Sequence, residues 1–180
     1  MGFSADAIAN EFLNVAERNG ETLTPMKLQK LAYFSHGWFL ALEKKPFVDE
    51  PIYAWKFGPV IQSMYHEFKE FGDSPITRKA RELRIKKIPD SRRVKMEVFE
   101  PQFATESLDE AKIRPEDGHA LIRRIWELYG DKSALQLSNA THASGTPWRE
   151  IYDSFSGNIP HGIQIPDDMI QTYFTARLKK

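Results

Sequence analysis

The stretch from Thr24 to Leu42, TPMKLQKLAYFSHGWFLAL, decides the fold. It opens with a capping hydroxyl followed by proline, and at the first helical position a missing N–H removes no hydrogen bond. Leu28, Leu31, Ala32, Ser35, Phe39 and Leu42 trace one helical face, while Tyr33, Phe34 and Trp38 widen the apolar stripe beyond what a surface helix carries. The spacing predicts a central helix, around which the remaining segments pack.

Upstream, Ile8, Phe12 and Val15 recur at helical spacing after the capping residue Ser4, and Asn19-Gly20 supplies a stop, so a first helix is predicted to about Arg18. Downstream of Lys44-Lys45-Pro46, the β-prone run Ile52-Tyr53-Ala54-Trp55 between Pro51 and Gly58-Pro59 predicts a short edge strand. Pro59 is read as the start of a third helix, Val60 to Phe71, which Gly72 ends. From Ser74 to Ser107 the prolines 75, 89 and 101 interrupt helical order. There Val94, Met96 and Val98 alternate with Lys95, Glu97 and Phe99 as a strand does, and Ile85 and Ile88 supply a partner strand across Pro89-Asp90-Ser91.

Helical spacing returns from Pro115 to Tyr129 before Gly130, then from Ser133 to Ala140, and again after Thr146-Pro147, which repeats the hydroxyl-proline start. Ser156 to Pro166 reads as a loop. The last helix, Asp167 to Leu178, has acids in its first turn and Lys179-Lys180 beyond its end, the order that the helix dipole favours. The fold class expected is mainly α: a single compact helical domain over residues 1–180, with a short edge strand and a basic β-hairpin insertion at about 77–104.

A chain of 180 residues is long enough to bury a core without metals or disulfides. It has no cysteine, which removes thiolate chemistry and fits a reducing compartment. The first residues lack a basic-then-apolar leader, so a cytoplasmic location is expected. Acids and bases balance at 25 each, yet Arg78 to Lys95 holds nine basic and two acidic residues, a local +7 against −7 elsewhere. That segment reads as a protein contact, as a solvated hairpin, or as a nucleic-acid contact of a regulator acting through residues 78–95. The zero total charge and the absence of aromatics within it make nucleic acid the least favoured partner.

Enzyme signatures are missing from the sequence. There is no G-x-S-x-G, S-x-x-K, phosphate-binding glycine loop or paired metal-binding histidines, and His36, His66, His119, His142 and His161 are scattered. No catalytic residue, metal site or cofactor is assigned. The 4 Trp, 6 Tyr and 12 Phe are expected to lie mostly in the core, any left exposed being natural anchors for a protein partner.

Lys27-Leu28-Gln29-Lys30-Leu31-Ala32-Tyr33 with Gly37-Trp38, then Glu50 to Val60 (EPIYAWKFGPV), resembles the opening of the Panacea, or SocA-like, antitoxin domain family. Leu137 to His142 (LSNATH) with Pro147-Trp148 is similar to that family's second signature, and Ile165 to Asp168 with Ile170 and Tyr173-Phe174 to its tail. The resemblance implies a mainly helical antitoxin from bacterial or phage toxin–antitoxin operons. Such a protein neutralises a cognate toxin by binding it, and one branch of the family delivers its toxin to a AAA+ protease.

Among the signature residues, Leu28, Gln29, Leu31, Tyr33, Trp38, Trp55, Gly58, Pro59, Thr141, His142, Pro147 and Trp148 read as scaffold. Lys27, Gln29 and Lys30, polar on an apolar helix, either satisfy buried carbonyls or face a partner. The candidate partner contacts are therefore Lys27 and Lys30 together with Arg84, Lys86, Lys87, Arg92 and Arg93 of the basic segment.

Overall fold

The computed structural model describes residues 2–87, 94–103 and 115–178. Helices α1 (Ala5–Arg18), α2 (Pro25–Glu43), α3 (Gln62–Phe68), α4 (Pro115–Tyr129), α5 (Ala134–His142), α6 (Pro147–Ser154) and α7 (Asp167–Leu178) dominate, so the fold is mainly α. A small antiparallel sheet in the order β2-β1-β5 joins β2 (Gly58–Ile61), β1 (Ile52–Trp55) and β5 (Gln164–Ile165). Strands β3 (Glu82–Lys87) and β4 (Val94–Phe99) form a separate two-stranded hairpin.

The α2 helix is central, as its sequence predicts. Thr24 accepts the Lys27 amide hydrogen, Pro25 opens the first turn and Lys44 closes the helix in a left-handed conformation at φ 59°. Every residue from Leu28 to Gly37 is buried, because α1, α4, α5, α7 and β2 all pack around it. Leu42 is the exception to the predicted stripe, lying exposed in the last turn.

The expected strand at 52–55 is present but central rather than at an edge, because β5 pairs on its far side with Ile52 opposite Ile165 and Tyr53 opposite Gln164. Strand β5 lies within what the composition reads as a loop. The predicted third helix also starts later than expected: Gly58 to Ile61 form β2, with Trp55 opposite Gly58 and Ile52 opposite Ile61, and α3 begins only at Gln62. A two-residue connection, Lys56-Phe57, folds β2 back on β1 before any helix can start.

Strand β4 spans the alternation read in the sequence, Val94–Phe99, while β3 starts three residues before Ile85, with Leu83 facing Val98 and Glu82 facing Phe99. Its predicted turn, Pro89-Asp90-Ser91, lies outside the described residues. Asn10 of α1 fastens its base. The Asn10 amide accepts the Ala80 N–H at 2.7 Å and donates to the carbonyls of Ala80 at 3.1 Å and Pro101 at 2.9 Å, holding both legs at once. Arg78 adds a second anchor through ion pairs to Glu67 and Glu70, its guanidinium lying over Phe68 and Phe71.

Candidate functional site

The family-like motifs converge on one feature, the β1–β2 turn, although they are far apart in sequence. Four backbone carbonyls at alternate positions each accept a side-chain donor. Trp148 Nε1 donates to Trp55 O at 2.8 Å, Ser138 Oγ to Phe57 O at 3.1 Å, Lys30 Nζ to Pro59 O at 3.1 Å and Gln29 Nε2 to Ile61 O at 2.9 Å. Gln29 also accepts the Ile61 N–H at 2.9 Å, so its amide substitutes for a neighbouring strand along β2. Outward-facing carbonyls of a buried strand need partners, and α2, α5 and α6 supply them.

The helices that hold this turn are themselves stitched together. Thr141 Oγ1 donates to Ser138 O, and Thr146 caps α6 while donating to Thr141 O at 2.7 Å. Pro147 is buried at the first position of α6, and Trp148 stacks on His142 at 3.9 Å and on Tyr152 at 5.0 Å. Trp38 donates to the Tyr129 hydroxyl at 3.0 Å, while Leu28, Leu31 and Tyr33 are buried within the core.

Lys30 is 1% exposed. Burial alone pulls its ammonium from the usual 10.5 down to about 7, since desolvation disfavours the charged form. The imidazole of His142 is likewise held below its ordinary value, first by burial and then by the charges of Lys30 and Arg149. Two buried nitrogens, Trp55 Nε1 and His142 Nε2, have no hydrogen-bond partner among the described residues.

Gly58 is where the turn and the lysine meet. Its φ of +102° is a conformation that side chains rarely adopt, and a Cβ there would lie 2.7 Å from both Lys30 Nζ and Thr141 Oγ1. Gly58→Ala is therefore expected to destabilise the protein by about 2 kcal/mol or more. Thermal denaturation checks this: a Tm within a degree or so of the wild type would contradict the clamp.

Two depressions flank the turn. One, of about 460 Å³, is walled by Met26, Gln29, Lys30, Trp55, Phe57 and Tyr65. The other, of about 550 Å³, is walled by Lys56, His142, Trp148, Arg149, Tyr152 and Ile159. Phe57, at the tip, is the most exposed aromatic among the described residues. Among the described residues no three potential metal ligands gather, and His36 is a structural link, accepting from the Val48 N–H through Nδ1 and pairing with Asp167 through Nε2.

The structure separates the candidate partner contacts into two groups. Lys27 and Lys30 are not open cations: Lys27 Nζ donates to Gly130 O at 2.6 Å and pairs with Glu21, and Lys30 serves Pro59. Of the two roles open to these lysines, the hydrogen bonds show the first: both amino groups are turned to carbonyls of the fold. Arg84 stands on the hairpin with its guanidinium 3.5 Å from the centre of the Phe99 ring. Lys86 and Lys87 fall within β3, and Arg92 and Arg93 lie outside the described residues.

Asn10, which fastens the base of the hairpin, is a position that the sequence reading passes over. An asparagine inside a helix competes with its own backbone and lowers helix propensity, so its place mid-α1 is the one available sign of a tertiary role.

The family model for the antitoxin SocA-like Panacea domain matches residues 28–149, the span that contains the whole clamp. Antitoxin SocA of Caulobacter vibrioides (strain NA1000 / CB15N) is 32% identical over 170 residues, which cover 94% of this chain and 81% of that protein. No solved structure matches the chain.

Proposed function

The chain belongs to the antitoxin SocA-like, Panacea-domain family, and from that premise we propose that it is the antitoxin of a toxin–antitoxin pair, neutralising a cognate protein toxin by direct binding. The observation that carries this reading is the similarity to a curated antitoxin along nearly the whole chain. The geometry agrees with a binding protein rather than an enzyme. The polar residues of the signature motifs, Gln29, Lys30, Ser138 and Trp148, are occupied in holding a turn, each on a backbone carbonyl. A stable complex of this kind buries roughly 1,200–2,000 Å².

Direct protein binding is favoured over a nucleic-acid role by the ion pairs of four of the segment's basic residues. Arg78 is bound to Glu67 and Glu70, Arg81 lies 3.5 Å from Glu100, Arg84 3.8 Å from Glu82 and Lys95 3.1 Å from Glu97. Cations already matched by carboxylates release few counterions from a phosphate backbone. The functional test is co-expression with the product of the adjacent gene. Growth is expected to be restored, and arrest that persists with both proteins soluble would overturn the reading.

A further inference from the structure

The depression between α2 and the β1–β2 turn is mostly apolar, with Met26, Val60, Trp55 and Tyr65 in its wall, and it measures about 460 Å³. Two side chains of that wall carry buried donors that are short of acceptors. Lys30 is 1% exposed, and among the described residues its Nζ makes one hydrogen bond, to Pro59 O at 3.1 Å, although an ammonium has three hydrogens to donate. Trp55 Nε1 is buried and has no acceptor among the described residues.

A buried donor without an acceptor is costly, and native proteins meet the need with a protein group, a water or a ligand. The carbonyls of the turn are already engaged: those of Trp55, Phe57, Pro59 and Ile61 each accept from a side chain of α2, α5 or α6. A water takes up only about 30 Å³, so hydrating the two nitrogens leaves most of this apolar volume unfilled. A molecule that carries an acceptor on an apolar body meets both needs, and the volume is that of a small-molecule site.

Charge narrows the acceptor. Three amines border the depression, those of Lys30, Lys56 and Lys69, against the single carboxylate of Asp73. Neither Lys56 nor Lys69 is ion-paired among the described residues, and the Lys56 ammonium lies 5.5 Å from the centre of the Phe57 ring, over the same rim. The cations therefore stand on the same depression as the apolar wall and are free to meet an anion. No arginine, the usual partner of phosphate, is part of the wall, so a carboxylate fits the donors better.

We infer that this depression is a binding site for a small monocarboxylic acid, its carboxylate reaching Lys30 and Trp55 Nε1 and its apolar body lying against Met26, Val60 and Tyr65. The site is independent of the antitoxin reading, which stands whatever the following titration gives.

The test titrates the full-length chain with octanoate and with 4-phenylbutyrate, each compared with its uncharged primary amide, by tryptophan fluorescence and calorimetry. At pH 6.5 at least one acid is expected to saturate the protein and to bind about tenfold or more tightly than its amide. Protons give a second reading. Burial lowers the Lys30 amine to about 7, and the other titratable groups around it are Lys56, Tyr65, Lys69 and Asp73 of the depression and His142 of α5. A carboxylate beside the amine favours its protonated form, so affinity is expected to fall by up to about tenfold per pH unit above 7, with a binding heat that changes with the buffer. Lys30→Met is expected to remove both the preference for the acid and the pH dependence. Because Lys30 also holds the turn, the two wild-type readings decide the matter if that variant fails to fold. Equal binding of acid and amide, affinity unchanged between about pH 6.5 and 8.5, or no saturation by either acid up to about 10 mM overturns the site. A folded Lys30→Met that binds the acid as tightly as the wild type overturns it as well.

Discussion

Phe174→Ala is expected to lower the free energy of unfolding by about 3–5 kcal/mol. Phe174 of α7 is 1% exposed and lies among Tyr33, Phe34 and Trp38 of α2, with ring centroids at 6.0, 6.2 and 5.1 Å in edge-on arrangements. Its truncation removes both the buried area and these aromatic contacts, leaving a cavity between the central helix and the last one. The same ring explains Gly37, since a Cβ on that glycine would intrude on Phe174. Gly37→Ala is therefore expected to destabilise the wild type by about 1–3 kcal/mol through overpacking. In the Phe174→Ala background it should instead be neutral or slightly stabilising, because alanine is a better helix former by up to about 1 kcal/mol. Urea unfolding of the four proteins measures the coupling. Effects that add independently would contradict the α2–α7 packing described here.

The second large effect is a rise in stability from neutral to alkaline pH that depends on Lys30. In the unfolded chain this lysine keeps its proton to its usual value of 10.5, whereas burial makes the folded protein release it near 7. Between those values the unfolded state holds the extra proton, so raising the pH favours the folded state by up to about 1.4 kcal/mol per pH unit. From about pH 7 to 9.5 this amounts to on the order of 3 kcal/mol. Below pH 7 both states are protonated and the cost of the buried charge is carried in full. Lys30→Met should flatten the profile and raise the titration midpoint of His142, whose imidazole loses a neighbouring cation. Parallel stability profiles for the wild type and Lys30→Met would show that the ammonium is not desolvated.

The parts of the fold that were legible in the sequence are those decided locally. Thr24-Pro25, Ser133 and Thr146-Pro147 each cap the helix that their spacing announces, and the Asp167 helix starts where its acids indicate. The parts that were not legible depend on distant partners. Strand β2 looks like a helix start because Gly58-Pro59 serves both purposes, and only Gln29, 32 residues away in sequence, shows why Ile61 stays extended. Strand β5 has two residues and exists because β1 lies beside it. The candidate site divides in the same way. Its residues could be named from the motifs, but their convergence on the carbonyls of one turn joins positions as far apart as Trp55 and Trp148. In the hairpin, alternation reveals which residues share a face and says nothing of what covers it, so the exposure of Leu83, Met96 and Val98 becomes visible only in three dimensions.

The central claim, that neutralisation is direct binding, is tested most simply by isothermal titration of the purified chain into the purified product of the adjacent gene. The account predicts saturable heat, one-to-one stoichiometry and a Kd below about 1 μM. An absence of binding by a chain that still restores growth in cells would contradict it.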